Sequence, residues 1–370
     1  MLVASPIHQI LDLARWAPSG DNTQPWQFEI LDECRLVVHG RDTRTDCVYD
    51  LDGRASQLSL GALLETLDIA AAGLGLGTRV VRRKAMPDTE PTFDVSVFPQ
   101  ANRSGADLVA AIPARRVFRR PMSFHVIGER DRRALASAVG PDHELLWFGS
   151  WAERLRWASL LWANAGLRLR LPEAFEVHRR VIQWHARFSP DRIPDQALGA
   201  GPATLAIMRL AMSSWARVNF LNTWLGGTIG PRLEMDWIPA MACGAHLAIV
   251  AKRPPHTLDD YVAAGRAVQR FWLTATQLGL QHQPAVTPLI FSRYLREGRS
   301  FTSTVALQTS TARIQAQLES LLGPRCAHAI WLGRMGYGAP ARSRSERKPL
   351  ATLLGKPPGC TASFTLNEDP

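Results

Sequence analysis

The segment Ala17-Pro18-Ser19-Gly20-Asp21-Asn22-Thr23-Gln24-Pro25-Trp26-Gln27-Phe28 holds the residue types most suited to binding chemistry in this chain. Ser19 and Gly20 are small enough for main chain to approach a flat ligand, and Asn22 offers both a donor and an acceptor. Trp26 and Phe28 alternate with Gln27 and Glu29, the pattern of a strand with one buried face. The alternative reading is an ordinary helix-to-strand turn. Two arginine strings stand apart from this loop, Arg115-Arg116-Val117-Phe118-Arg119-Arg120 and Arg342-Ser343-Arg344-Ser345-Glu346-Arg347-Lys348. Clustered guanidinium groups suit an anion, because each planar fork can bond two oxygens at once. A solvated basic turn is the alternative there.

The elements that must position these residues are legible. Ser5 and Pro6 open a helix whose Ile7, Ile10, Leu11 and Ala14 form one apolar stripe, and Pro18 ends it. The polar loop therefore follows a helix C-terminus and enters a strand. The segment Gly61 to Leu76 returns as Gly265 to Leu280, an offset of 265 − 61 = 204 residues, without a gap. Gly61 aligns with Gly265, Leu67 with Phe271, Ala71 with Ala275, and Gly75 with Gly279, so two long helices share small-residue contacts and a glycine cap. Gly73 to Gly77 is thus a helix end rather than a dinucleotide loop. Strand-like sequence follows each copy, at 79–83 and 93–98 in the first and 327–334 in the second. An internal duplication is the expectation, with a first half at 1–106, a second at 107–350 and a loose tail at 351–370. The second half holds a helical insertion at about 150–235, rich in Trp and Arg, for which a core role and a substrate-side lid are both open.

Composition narrows the classes. The 370 residues are 46% hydrophobic, enough for a large core. The longest apolar run, Trp237 to Ala251, is interrupted by Pro239 and is shorter than the roughly 20 residues a bilayer span needs, so no membrane association is expected. No signal peptide is apparent, and the five scattered cysteines suggest a cytoplasmic protein. The net charge of +10 admits an anionic cofactor or substrate, but the basic residues are dispersed, so no nucleic-acid partner is expected. His178 and His185 lack further ligands in an obvious pattern, and no metal is expected.

The string Ala-Pro-Ser-x-x-Asn-x-Gln-Pro-Trp-x-Phe resembles the cofactor loop of nitroreductase-like flavoproteins, in which Pro-Ser-x-x-Asn lies against FMN. The segment from Asp52 to Ala62 is similar to the family as well. The resemblance implies that Pro18, Ser19, Gly20 and Asn22 bind FMN. It also implies that Arg115, Arg116 and Arg119 match the family's Arg-Arg-Ser-x-Arg string, with Arg119 toward the flavin pyrimidine edge. Val117 stands where the family has Ser and removes one hydroxyl contact to phosphate. By the same resemblance, the main chain of Val286 and Thr287 lies near flavin N5, and Arg344 and Arg347 belong to the closing phosphate-binding segment. The flavin itself carries the electrons, and no side-chain acid is required.

Each half keeps only part of this equipment. The arrangement resembles Acg-like tandem nitroreductases, whose single chain forms a pseudo-dimer with one FMN. The implied fold is α+β, a nitroreductase-like fold duplicated in one chain. The implied activity is FMN-dependent oxidoreduction between NAD(P)H or a substrate and an organic acceptor or oxygen; the alternative is a flavin-sequestering protein with little turnover. The implied partner is a small molecule, aromatic or anionic, and the protein would be a monomeric pseudo-dimer or an oligomer of it.

Overall fold

The computed structural model describes residues 5–101 and 103–355. Helix α1 (Pro6–Ala14) buries Ile7, Ile10, Leu11 and Ala14, the stripe read from sequence. Strands β1 (Trp26–Ile30) and β2 (Arg35–Gly40) form a hairpin, helix α2 (Arg54–Ala72) follows, and β3 (Leu76–Arg82) and β4 (Thr92–Pro99) complete an antiparallel sheet ordered β1-β2-β4-β3. The second half opens with α3 (Glu129–Ala138) and β5 (His143–Phe148). An insertion then holds α4 (Trp151–Arg168), α5 (Pro172–Val181), α6 (Pro202–Ala211) and α7 (Trp215–Trp224) before β6 (Ala245–Ala251). Helix α8 (Leu258–Gln277) leads to β7 (Gln281–Pro284), then α9 (Thr287–Arg296), α10 (Val305–Leu322) and β8 (Ala329–Gly336). This second sheet is antiparallel with the order β7-β8-β6-β5. Each half thus runs two strands, a long helix and two strands, and β1-β2-β4-β3 has its counterpart in β5-β6-β8-β7. The fold is mixed α and β.

The long helices form the centre. Helix α2 is buried on nearly every side, as a helix enclosed by other elements must be. Its N-terminus is held by Asp50, whose carboxylate accepts from the Ala55 and Ser56 amides at 2.8 and 3.2 Å. This satisfies donors that have no partner within the helix. Helix α8 begins with a Thr257–Asp260 capping box. The two helices cross where Gly61 meets Gly265. A Cβ on either residue would overlap a main-chain carbonyl, that of Val262 or of Leu58, and would lie 2.9 Å from the opposing glycine Cα. Gln269 Nε2 donates to Thr66 Oγ1 across the same interface at 2.9 Å. Both helices end at a left-handed glycine, Gly75 (φ 71) and Gly279 (φ 74), as the aligned sequences predict.

Two features differ from the sequence reading. Helices α9 and α10 separate β7 from β8, where the first half has only the turn 83–91; nothing in the first half could signal them. The expected loose tail is in part ordered. Leu353 is buried, Leu354 bridges Phe28, and the Gly355 amide donates to the Phe28 carbonyl at 2.8 Å, so residues 351–355 close the edge of β1. Residues 356–370 lie outside the described residues. Among the described residues no helix is long and apolar enough to cross a membrane.

The glycine crossing gives a direct test. Gly61→Ala and Gly265→Ala should each lower unfolding stability by about 1–3 kcal/mol in denaturant titrations, the usual cost of forcing atoms into a packed core. Gly20→Ala, where a Cβ meets nothing within 4 Å, should change it by less than about 0.5 kcal/mol.

Candidate functional site

The loop after α1 departs from ordinary turn geometry. Asp21, Asn22 and Gln24 all have left-handed backbones, with φ of 50, 61 and 51. Such conformations cost of order 1 kcal/mol or more for residues bearing a Cβ, so surrounding structure must hold them. The latch comes from two distant segments. Asn22 Nδ2 points at the carbonyls of Pro190, Arg192 and Glu346 at 3.3, 3.3 and 3.2 Å. Its two hydrogens are therefore shared among three acceptors. Gln24 Nε2 donates to Pro190 O at 2.9 Å, and its Oε1 accepts from the Lys348 amide at 2.9 Å. Within the loop, Ser19 Oγ accepts from the Gln24 amide at 3.0 Å.

Above this loop lies a cavity of about 260 Å³. One wall is the loop from Pro18 to Asn22, and another is Ala55, Leu58, Ser59 and Ala62 of α2. Val268 and Trp272 of α8 face them, with Trp331 of β8 and Pro284 and Val286 beside. The aromatic side is fixed by His282, whose Nε2 accepts from Trp331 Nε1 at 3.1 Å and whose Nδ1 meets Arg334 O at 3.1 Å. Burial pushes His282 down to about 3, so the ring is neutral and carries its hydrogen on Nδ1.

The arginines give the cavity its charge. Arg115 is 4% exposed, donates through Nη2 to the Trp16 carbonyl at 2.9 Å and lies 4.5 Å from the Trp272 ring centroid. Arg347 donates through Nε to the Ala17 carbonyl at 2.8 Å, and Arg119 through Nη1 to the Ala197 carbonyl at 3.0 Å. None of the three forms a salt bridge among the described residues. Burial pulls the Arg115 guanidinium well below its ordinary value, reinforced by Arg347 and Arg344. Burial, with Arg344 and Arg15, pulls Arg347 down to about 9. Burial also lowers Arg119, opposed by the Asp21 carboxylate. Because a guanidinium does not give up its proton in a protein, these shifts express a standing electrostatic demand for an anion.

The structure gathers Pro18, Ser19, Gly20, Asn22, Arg115, Arg119, Val286 and Arg347 around this cavity, and it turns the Arg116 and Arg344 side chains elsewhere. Arg116 bonds the Ala341 carbonyl at 2.8 Å, Arg344 bonds the Pro113 carbonyl at 2.7 Å over the Trp16 ring, and Thr287 Oγ1 accepts from Asn164 at 2.7 Å. The reason is alternation. Residues 115–119 run extended, with Val117 bridged to His282, so Arg115, Val117 and Arg119 face inward while Arg116 faces out. The same alternation turns Ser345 and Arg347 inward and Arg344 outward. Sequence reasoning could have found this by applying a period of two to each string. It had no signal for Asp21, Trp272 or Trp331, whose roles depend on the helix crossing.

A second chamber of about 170 Å³ adjoins the first and shares Asp21, Arg119 and Ile193 with it. The insertion supplies most of its wall, including Arg168, His178 and Asp236. Tyr49 Oη and His178 Nε2 are 2.9 Å apart. Burial pushes His178 down to about 3 and Asp236 up to about 6, the latter opposed by Arg168 at 3.3 Å. Of the insertion's tryptophans, Trp157 is fully buried against His246 whereas Trp224 is 74% exposed. Among the described residues no group of three or more His, Cys, Asp or Glu side chains is placed to hold a metal ion.

The chain is 33% identical over 293 residues to "Putative NAD(P)H nitroreductase Rv3131" of Mycobacterium tuberculosis H37Rv, covering 77% of this chain and 77% of that protein. The same figures relate it to "Putative NAD(P)H nitroreductase MT3217" of strain CDC 1551. "Uncharacterized protein MT1398" of that strain is 24% identical over 341 residues, 90% of this chain but 46% of the relative, so the chain spans about half the length of that relative. No family model matches the chain. The chain belongs to the nitroreductase family.

The latch can be tested without any ligand. Gln24→Ala leaves the Lys348 amide without its acceptor and should cost about 1–3 kcal/mol of stability, the penalty for an unsatisfied buried group. Hydrogen exchange at Lys348 should accelerate in that variant, while exchange in β2 and β4 stays slow.

Proposed function

We propose that the protein is an FMN-dependent oxidoreductase of tandem construction that holds one flavin between its two halves. The observation that carries this reading is the buried Arg115 with the half-buried Arg347 and Arg119 beside one cavity, none of them in a salt bridge among the described residues. Arg115 and Arg347 together suit a phosphate, and the walls of α2, α8 and Trp331 suit a planar ring system. Orphaned atoms at the cavity support the same fit: Arg115 Nε, Trp272 Nε1 and Asn22 Oδ1 are buried without hydrogen-bond partners. In a native interior such groups are few, and each calls for an explanation. When bound, FMN would supply two-electron chemistry. Arg115 and Arg347 would hold its phosphate, Arg119 would stabilise negative charge on the ring, and the Val286 main chain would line the same cavity. The names of two relatives, each a "Putative NAD(P)H nitroreductase", support NAD(P)H as donor, with a small organic acceptor or oxygen receiving the electrons.

One site per chain follows from the repeat. At the offset of 204, Trp272 corresponds to 272 − 204 = 68, which is Asp68. Asp68 is bonded to Thr78 and paired with Arg103 at 2.6 Å, so the related position presents a committed carboxylate instead of an aromatic face. Four of the five cysteines, Cys34, Cys47, Cys243 and Cys326, are free, which supports a reducing cytoplasm.

The purified protein should show a yellow flavin band with one FMN per chain; two per chain would overturn the single-site reading. Each of Arg115→Ala and Arg347→Ala should weaken FMN binding by about 10- to 100-fold, equivalent to about 1.5–3 kcal/mol for a charged hydrogen bond. Arg116→Ala and Arg344→Ala should stay within about 3-fold, a difference of under 1 kcal/mol. Titration of flavin fluorescence checks all four. Bound FMN that stays oxidised under excess NADH and NADPH without oxygen would favour a flavin-holding protein.

A further inference from the structure

Only Asp21, Arg119 and Ile193 border both chambers. Of these, Asp21 alone bears a group that can give and take a proton under ordinary conditions, since a guanidinium stays charged. Asp21 is half-buried, and its carboxyl forms no hydrogen bond among the described residues. Its left-handed backbone (φ 50) is part of the latched loop, so the side chain's position at the junction is imposed from outside.

We infer that Asp21 is the proton-transfer residue of the site, passing its carboxyl proton to a compact conjugated carbonyl compound seated in the inner chamber. This rests on the flavin reading above. A dry cavity of roughly 150 Å³ takes one benzene ring, so a chamber of about 170 Å³ takes a single-ring quinone. Two hydrogens balance the step: one reaches the quinone as hydride from reduced flavin, and the other leaves the Asp21 O–H bond as a proton for the second oxygen. The product is the hydroquinone, the flavin is left oxidised, and NAD(P)H restores it. The Asp21 carboxylate that results faces Arg119, Arg168 and Arg180, and it regains a proton from water through the inner chamber.

The surroundings suit both states of the carboxyl. Burial raises Asp21 above its ordinary value, which favours the protonated acid, while the Arg119, Arg168 and Arg180 guanidiniums limit that rise and receive the anion. Tyr49 and Cys47 on the neighbouring loop also feel its charge, and both are pushed up by burial, Cys47 to about 12, so neither competes as an acid. His178 is held neutral and Asp236 is paired with Arg168 on the far wall.

The test compares the native protein with Asp21→Asn, both loaded with FMN, reduced by dithionite without oxygen, and mixed with benzoquinone or with ferricyanide. Asp21→Asn should retain FMN, slow reoxidation by benzoquinone by about 100-fold or more, and leave ferricyanide unaffected, because that acceptor takes electrons without a proton. Asp21→Glu should recover part of the benzoquinone rate. An independent readout needs no flavin: infrared spectra followed over a pH titration should show in the native protein a carboxyl band that persists above the ordinary Asp range and that Asp21→Asn lacks. Equal benzoquinone rates, equal slowing with both acceptors, loss of FMN from Asp21→Asn or absence of the band would each overturn the assignment. If the native protein itself retains no FMN, the flavin reading fails and this inference fails with it; retained FMN with equal rates overturns this inference alone.

Discussion

Everything in this molecule is arranged around the close approach of two helices at Gly61 and Gly265. With only hydrogen on both Cα atoms, the α2 and α8 backbones touch main chain to main chain. That contact sets which turns of each helix face the same space. Ala55, Leu58, Ser59 and Ala62 come to stand opposite Val268 and Trp272, and the cavity between them is bounded before any loop is considered. The two sheets, alike in strand order, flank this pair; β8 supplies Trp331 and the loop that enters β1 supplies the opposite wall. A side chain at either glycine would part the helices and with them the walls of the site.

Charge is the second constraint. Arg115 and Arg347 spend donors on the carbonyls of Trp16 and Ala17, immediately before the loop, and so lock its entry. Neither has a carboxylate partner, and burial works against both. A folded chain tolerates such unpaired buried cations poorly, since desolvating a charge without compensation costs several kcal/mol. An anion at this place would offset that cost, and its binding would then be coupled to the ordering of the loop. The left-handed backbones of Asp21, Asn22 and Gln24 belong to the same equilibrium, because the segments that latch them, 190–192 and 346–348, come from the insertion and from the chain's closing segment.

Residues 150–235 add what the two sheets and the central helices lack. Their helices α4 and α5 carry Arg168 and His178 to a chamber that the first half has no means to build. That chamber adjoins the larger cavity at Asp21, Arg119 and Ile193. Burial keeps His178 neutral, and the Arg168–Asp236 pair keeps opposite charges together, so the wall is polar with little net charge.

The sequence by itself determined the elements that depend on local periodicity and on single permissive residues. The stripe of α1, the alternating strand after Pro25, the gapless copy of one long helix in another and the glycine caps at Gly75 and Gly279 all follow from spacing, and the structure has each of them. The loop and the arginine strings were legible as binding material. Their orientation was only partly so: Arg116 and Arg344 turn away because extended backbone sends neighbours to opposite faces. Asn22 appeared as a ligand contact, yet its amide nitrogen is committed to three backbone carbonyls. Tertiary structure alone decided that Asp21 stands between two chambers, that Trp272 and Trp331 make the flat wall, and that the charges of Arg115 and Arg347 go unpaired. These are facts about which atoms fill the space around a side chain, and residues more than 300 positions apart, such as Ala17 and Arg347, supply those atoms only once the helices have met.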